Sequence, residues 1–77
     1  MYLDPERMST DLQQRVVRWL EANGCRDWIA LEPIVVRGKV VEYESLGRRG
    51  RDLVLRDGWP VTRTRRLRVH IPLAKVA

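Results

Sequence analysis

Arginine is concentrated in one segment of this 77-residue chain. Between Gly47 and Arg68 there are eight arginines against two aspartates, a local balance of +6, whereas the rest of the chain sums to −1. A guanidinium group can bind phosphate oxygens through two parallel hydrogen bonds. A basic segment on a nearly neutral body is typical of proteins that bind nucleic acid or another polyanion. Arginine enrichment is also expected from a GC-rich genome, so both interpretations stay open. The arginines that we predict to contact nucleic acid are Arg48, Arg49, Arg51, Arg63, Arg65, Arg66 and Arg68.

One tryptophan lies inside the basic segment. Trp59 follows a turn signal and precedes Pro60, and its ring could stack on an unpaired base, so we include it in the predicted interface. A tryptophan in this position more often covers a sheet edge or a helix end. The nearby G-R-R-G-R sequence at 47–51 lacks the lysine and hydroxyl of a phosphate-binding P-loop, so it is predicted to contact a nucleic-acid backbone or to be a solvated turn.

Few other side chains could carry chemistry. The single histidine, His70, falls on the polar face of a predicted strand, and the single cysteine, Cys25, has no base near it in sequence. We therefore predict no enzymatic activity, no metal site and no cofactor. A lone cysteine is typical of a reducing compartment, which favours a cytoplasmic location. There is no apolar run of about 18 residues, so no membrane partner is predicted.

Two carboxylates are placed where they could act together. Glu42 and Glu44 are two apart on a predicted strand and therefore share a face. Paired carboxylates can do acid–base work, but they can equally pair with Arg66 and Arg68 across an antiparallel sheet, and we favour the pairing. Arginines paired in this way would be less available to phosphate.

The elements that must position these residues begin with the end of the chain. Apolar and polar residues alternate from Val61 to Leu73, which predicts one long, half-buried strand. Arg63 and Arg65 interrupt the apolar alternation and have no predicted partner. The residues predicted to face the core are Leu67, Val69, Ile71 and Leu73.

A helix is predicted from Thr10 to Asn23. Thr10 and Gln13 fit the capping box that begins a helix. Gly24 would end it, with Cys25 and Leu20 making the apolar contact of a Schellman motif. The apolar stripe of the helix consists of Leu12, Val16, Trp19 and Leu20.

Three further strands are predicted between the helix and the last strand. Residues 34–36 and 39–46 flank a turn at Arg37-Gly38, and residues 52–56 precede the hairpin signal Asp57-Gly58. Short connections between successive strands make them antiparallel neighbours. We therefore predict an α+β fold, with one N-terminal helix packed on a three- or four-stranded antiparallel β-meander in the order α-β-β-β-β. Residues 1–8 are predicted to be a flexible N-terminal tail and residues 9–77 a single small domain.

Three short motifs suggest a family. They are R-W-L-E-A-N-G at 18–24, G-K-V-V-E-Y-E at 38–44 and T-R-T-R-R-L-R-V-H-I-P-L at 62–73. Together they resemble small proteins encoded by actinobacterial phages and prophages, over most of the chain from Met8 onward. The resemblance implies a mobile element in a GC-rich host and supplies no activity and no functional residues. Cys25, at an apolar position of that pattern, and the denser arginine depart from it.

The sequence thus predicts a non-enzymatic accessory protein that binds nucleic acid non-specifically through a basic sheet face and an arginine-rich loop. The alternative is a protein-interaction module with no nucleic-acid role: a phage or mobile-element accessory factor that docks on another protein, or a homodimer. An exposed edge of the last strand could add to the sheet of such a partner.

Overall fold

The computed structural model describes residues 1–76. It contains one helix and an antiparallel sheet of four strands, which lie in the order Tyr2–Leu3, Ile34–Arg37, Val40–Leu46 and Thr62–Arg68. The predicted α+β class is confirmed. The helix is α1 (Thr10–Ala22), and the strands are β1 (Tyr2–Leu3), β2 (Ile34–Arg37), β3 (Val40–Leu46), β4 (Arg48–Arg49), β5 (Asp52–Leu53), β6 (Leu55–Arg56), β7 (Trp59–Pro60) and β8 (Thr62–Arg68). Short 3₁₀ turns lie at Pro5–Arg7 and Leu73–Lys75.

The N-cap of the helix lies one residue before the predicted cap. Ser9, not Thr10, is the N-cap, and its Oγ accepts a hydrogen bond from the Leu12 N–H at 3.1 Å. This bond satisfies one of the backbone donors left free in the first turn. Gln13 does not complete a capping box, because its Nε2 donates to the Pro5 carbonyl at 2.8 Å.

The helix ends as the sequence predicts. Gly24 adopts a φ of 96°, the left-handed conformation that glycine reaches without steric cost. The Cys25 N–H donates to the Leu20 carbonyl at 2.9 Å, and the Gly24 N–H donates to the Glu21 carbonyl at 3.0 Å. These two bonds are those of a Schellman motif.

The core lies between the helix and one face of the sheet. Leu20 and Val41 are fully buried, and burial of such a side chain contributes about 1.5–3 kcal/mol. Of the predicted helix stripe, Leu12 is only half-buried. The core residues are Leu3, Val16, Trp19, Leu20, Cys25, Ile34, Val41, Tyr43 and Val69.

The segment predicted as a flexible tail is instead packed onto the sheet. Leu3 pairs with Ile34 and belongs to the core. The ammonium group of Met1 donates to the Val36 carbonyl at 2.7 Å. A strand of two residues is too short to show a periodic pattern in the sequence. β1 can therefore be recognised only in the structure, from its pairing with β2.

The last strand is shorter than predicted. β8 ends at Arg68. The Val69 N–H still donates to the Lys39 carbonyl at 2.8 Å, but the N–H groups of His70 and Ile71 donate to Asn23 Oδ1 at 2.7 and 2.8 Å. Val69 is buried as predicted, but Ile71 is 40% exposed. The predicted core position of Ile71 is therefore wrong.

Two residues of α1, together with its C-cap residue, bind the segment that follows β8. Arg15, Trp19 and Asn23, four residues apart and hence on one stripe of the helix, form what we call the helix clamp. Arg15 Nε donates to the Val76 carbonyl at 2.9 Å, and Trp19 Nε1 donates to the Ile71 carbonyl at 2.5 Å. Asn23 Nδ2 also donates to the Ile71 carbonyl, at 3.0 Å.

Residues 52–56 do not form one strand of the main sheet. They are divided between two small hairpins, β4–β5 and β6–β7, so that β8 pairs directly with β3. Turn signals lie on both sides of this segment: Gly50 has a φ of 64°, and Asp57 and Gly58 have φ values of 53° and 82°. Positive φ at both central residues is the type I′ geometry that closes a two-residue hairpin. The first turn of the main sheet is also shifted, to Gly38-Lys39, since Arg37 pairs with Val40.

The two hairpins meet the main sheet at a closed ring of three backbone hydrogen bonds. The Gly47 N–H donates to the Val61 carbonyl at 2.7 Å. The Val61 N–H donates to the Val54 carbonyl, and the Val54 N–H to the Gly47 carbonyl, both at 2.9 Å. We call residues 47–61 the arm and these three residues its junction.

Candidate nucleic-acid interface

The register between β3 and β8 places the strand arginines on opposite faces of the sheet. Arg65 lies opposite Tyr43 and Arg63 opposite Ser45, so both share the face that carries the core. Arg66 and Arg68 lie on the open face, away from the helix. β8 therefore divides its four arginines between the two faces of the sheet.

The open face is mixed in charge. Arg66 Nε lies 3.1 Å from Glu42 Oε2, so this predicted cross-strand pair is confirmed. Glu44 lies opposite Thr64 and accepts its hydroxyl hydrogen bond, so the predicted pairing of Glu44 with a strand arginine is wrong. Arg68 lies opposite Val40 and forms no ion pair within residues 1–76.

Arg65 has an internal partner that the sequence did not reveal. Its Nε lies 3.7 Å from Asp27 Oδ2, and the same carboxylate oxygen accepts a hydrogen bond from the Tyr43 hydroxyl at 2.5 Å. Burial raises the pKa of Tyr43 well above its ordinary value, and the hydrogen bonds with Asp27 and Cys25 act in the same direction. This cluster ties the loop after α1 to β3 and β8.

Arg48 is held against the body of the domain. Its guanidinium lies over the Trp28 ring, 4.8 Å from the centroid, and its Nη2 donates to the Arg26 carbonyl at 3.4 Å. A cation over an aromatic face is attracted by about 0.5–1 kcal/mol at an exposed site. Arg48 therefore lies at the base of the arm, and these two contacts leave its guanidinium less available to phosphate.

Apart from the half-buried residues of its junction, the rest of the arm is exposed to solvent. Trp59 is 76% exposed, so its predicted role as a cover for a sheet edge or helix end is wrong. Arg49, Arg51 and Arg56 are exposed, and none of them forms an ion pair with another described residue.

Arg56 is not among the arginines predicted from the sequence, although the fold places it beside Trp59. It lies directly across the β6–β7 hairpin from Trp59. The Asp57-Gly58 turn signal fixes this pairing, so hairpin geometry could have found it. The arm thus presents an aromatic ring and a guanidinium side by side, which can stack on a base and bind the adjoining phosphate.

Other kinds of site find little support within residues 1–76. No group of three or more His, Cys, Asp or Glu side chains there is arranged to hold a metal ion. No helix in that range has both the length and the apolar character needed to cross a lipid bilayer.

No protein-family model, curated protein or solved structure matches the chain. The resemblance to small phage and prophage proteins therefore stays a prediction.

Proposed function

We propose that the protein binds single-stranded nucleic acid through the arm, without sequence specificity and without catalysis. The observation that carries the proposal is the 76% exposure of Trp59 directly opposite Arg56. A large apolar ring gains by leaving water, and a nucleic-acid base offers it a flat partner. In this proposal Arg49, Arg51 and Arg56 bind phosphates while Trp59 stacks.

The strand arginines have a smaller part in the proposal. Arg65 and Arg66 already face carboxylates, whereas Arg63 and Arg68 have no ion-pair partner among the described residues. The latter two add to the positive field that draws a polyanion toward the domain. The setting in a phage or prophage belongs to this proposal as well, on the sequence resemblance alone.

The expected magnitudes follow from general values. Stacking contributes about 1–3 kcal/mol per base, so Trp59→Ala should weaken binding roughly 5- to 150-fold. If each of the three arm arginines binds one phosphate, affinity should fall about 20-fold between about 50 and 200 mM salt through their contacts.

The test is the fluorescence anisotropy of labelled single-stranded and duplex oligonucleotides, titrated with protein at several salt concentrations. The triple variant R49Q/R51Q/R56Q should lose affinity and part of its salt dependence. The control R7Q/K39Q/K75Q removes the same charge from exposed residues outside the arm. Failure of the wild-type protein to bind either oligonucleotide at low salt, or equal losses in both triple variants, would overturn the proposal.

A protein partner is the second candidate function. The observation that favours it is the position of β8 at the edge of the sheet, with no described strand on its outer side.

A further inference from the structure

The outer edge of β8 offers backbone groups for another strand. The Val69 N–H donates to the Lys39 carbonyl at 2.8 Å, which fixes the side of the strand that faces β3. Because backbone direction alternates along a strand, the N–H and C=O groups of Arg63, Arg65 and Leu67 also face β3. Those of Thr62, Thr64, Arg66 and Arg68 therefore point away from the sheet.

The bonds on the far side of β3 agree with this assignment. The Glu44 carbonyl accepts from the Ala30 N–H at 2.9 Å, and the Leu46 N–H donates to the Trp28 carbonyl at 2.6 Å. The even-numbered residues of β3 thus direct their backbone away from β8, which leaves its odd-numbered residues to bind β8. The order β1-β2-β3-β8 places no strand of residues 1–76 beyond this edge.

The charge of β8 selects what can pair with it. The strand T-R-T-R-R-L-R contains four arginines and no acidic residue. Asp27 faces Arg65 and Glu42 faces Arg66, which leaves Arg63 and Arg68 without an ion pair among the described residues. These two are five positions apart and on opposite faces of the strand, about 17 Å from each other along it.

We propose that β8 binds an acidic extended segment of a partner protein, which adds to the sheet as a further strand. Its backbone pairs with the outward groups of β8, and two of its carboxylates, five positions apart, face Arg63 and Arg68. Charged side chains on an edge strand also discourage addition of strands that lack the complementary charge. This site is separate from the arm, so the proposal does not depend on nucleic-acid binding.

A second copy of the chain fits this edge poorly. Two β8 strands side by side would place eight arginines and no carboxylate in adjacent strands. In the symmetric register centred on Arg65, that residue would face its own copy, and like charges directly opposite each other destabilise a sheet.

The first test uses short threonine- and valine-rich peptides with two glutamates, and binding is measured by anisotropy of a peptide label. A peptide with its glutamates five positions apart can form both ion pairs, whereas one with the same composition and a spacing shorter by one residue can form only one. The first peptide should therefore bind roughly 1.4- to 5-fold more tightly. The variant R63Q/R68Q should remove this difference, whereas R7Q/K75Q should retain it. Equal affinity of the two peptides for the wild-type protein would overturn the proposal.

The second test leaves the protein unchanged. In an added strand, only alternate N–H groups face β8, so N-methylation of one alternate set should abolish binding and methylation of the other set should not. Equal binding of the two methylated peptides would refute strand addition at this edge. Loss of peptide binding in the Trp59→Ala variant would refute it as well. A third contrary result is a dimer, detected by light scattering, that the R63Q/R68Q substitutions strengthen. Trp59→Ala is expected to leave peptide binding unchanged while weakening nucleic-acid binding, which distinguishes this proposal from the proposed function.

Discussion

Asn23 is expected to be among the most sensitive polar residues in the chain. Its side chain makes four hydrogen bonds: it donates to the carbonyls of Trp19 and Ile71, and it accepts from the N–H groups of His70 and Ile71. A net value of about 1 kcal/mol per bond gives an upper limit of about 4 kcal/mol. Because three of these bonds are exposed and water can replace them, we expect Asn23→Ala to lower the unfolding free energy by about 2 kcal/mol.

The assay is thermal and urea unfolding followed by circular dichroism. A loss of about 2 kcal/mol corresponds to a melting temperature about 8–16 °C lower in a domain of this size. Gln14→Ala is the matched control, since it removes an exposed amide from the same helix and should change stability by less than about 0.5 kcal/mol. If Asn23→Ala and Gln14→Ala unfold at the same temperature, the helix clamp does not hold the segment after β8 and the reasoning is wrong.

Three other substitutions test the core, the buried cluster and the junction. Leu20→Ala, at a fully buried position, should cost about 2–5 kcal/mol in urea unfolding, while Val17→Ala on the exposed side should cost much less. Tyr43→Phe should cost about 1.5–3 kcal/mol near neutral pH through the lost bond to Asp27. Because the pKa of Tyr43 is raised, its hydroxyl stays protonated in the folded chain at a pH where the same hydroxyl ionises in the unfolded chain. The unfolding free energy of the wild-type protein should therefore fall above about pH 10, by up to about 1.4 kcal/mol per pH unit. The phenylalanine variant should lack this part of the fall. Gly47→Ala would place a Cβ 3.3 Å from the Val61 carbonyl oxygen, and we expect the unfolding free energy to fall by about 1–2 kcal/mol. An unchanged melting curve would contradict this expectation.

The helix could be predicted because its signals are local. An apolar stripe at the helical period and an Asn23-Gly24 stop act within a few residues of each other, and both were confirmed. The exact cap was missed, since Ser9 and Thr10 are adjacent and either hydroxyl can serve. The end of the last strand was missed because Asn23, distant in sequence, captures the His70 and Ile71 N–H groups.

The two hairpins of the arm could not be predicted from the same local signals. Residues 52–56 have the composition of one strand, and turn signals flank them so closely that each hairpin strand is only two residues long. A pattern of that length does not determine a partner. The exposure of Trp59 depends on the arm, so the sequence alone could not decide between a stacking ring and a covering ring.

The candidate site was predictable only where pairing followed from alternation. Glu42 and Arg66 were placed correctly because both belong to long strands joined by a regular register. Asp27 was not foreseen as the partner of Arg65, since it lies in an irregular loop whose position depends on the packing of the whole domain.

The junction of the arm allows residues to be inserted in the arm without disturbing the main sheet. Gly47, Val54 and Val61 recur every seven residues, and each hairpin between them is closed by its own turn. Since the ring of backbone bonds joins these three positions directly, an insertion at either hairpin tip would lengthen the arm without shifting the pairing of β3 with β8. Loop tips of this kind tolerate insertion well. The reach and side-chain content of the arm can therefore diverge while the two-layer domain that supports it stays constant.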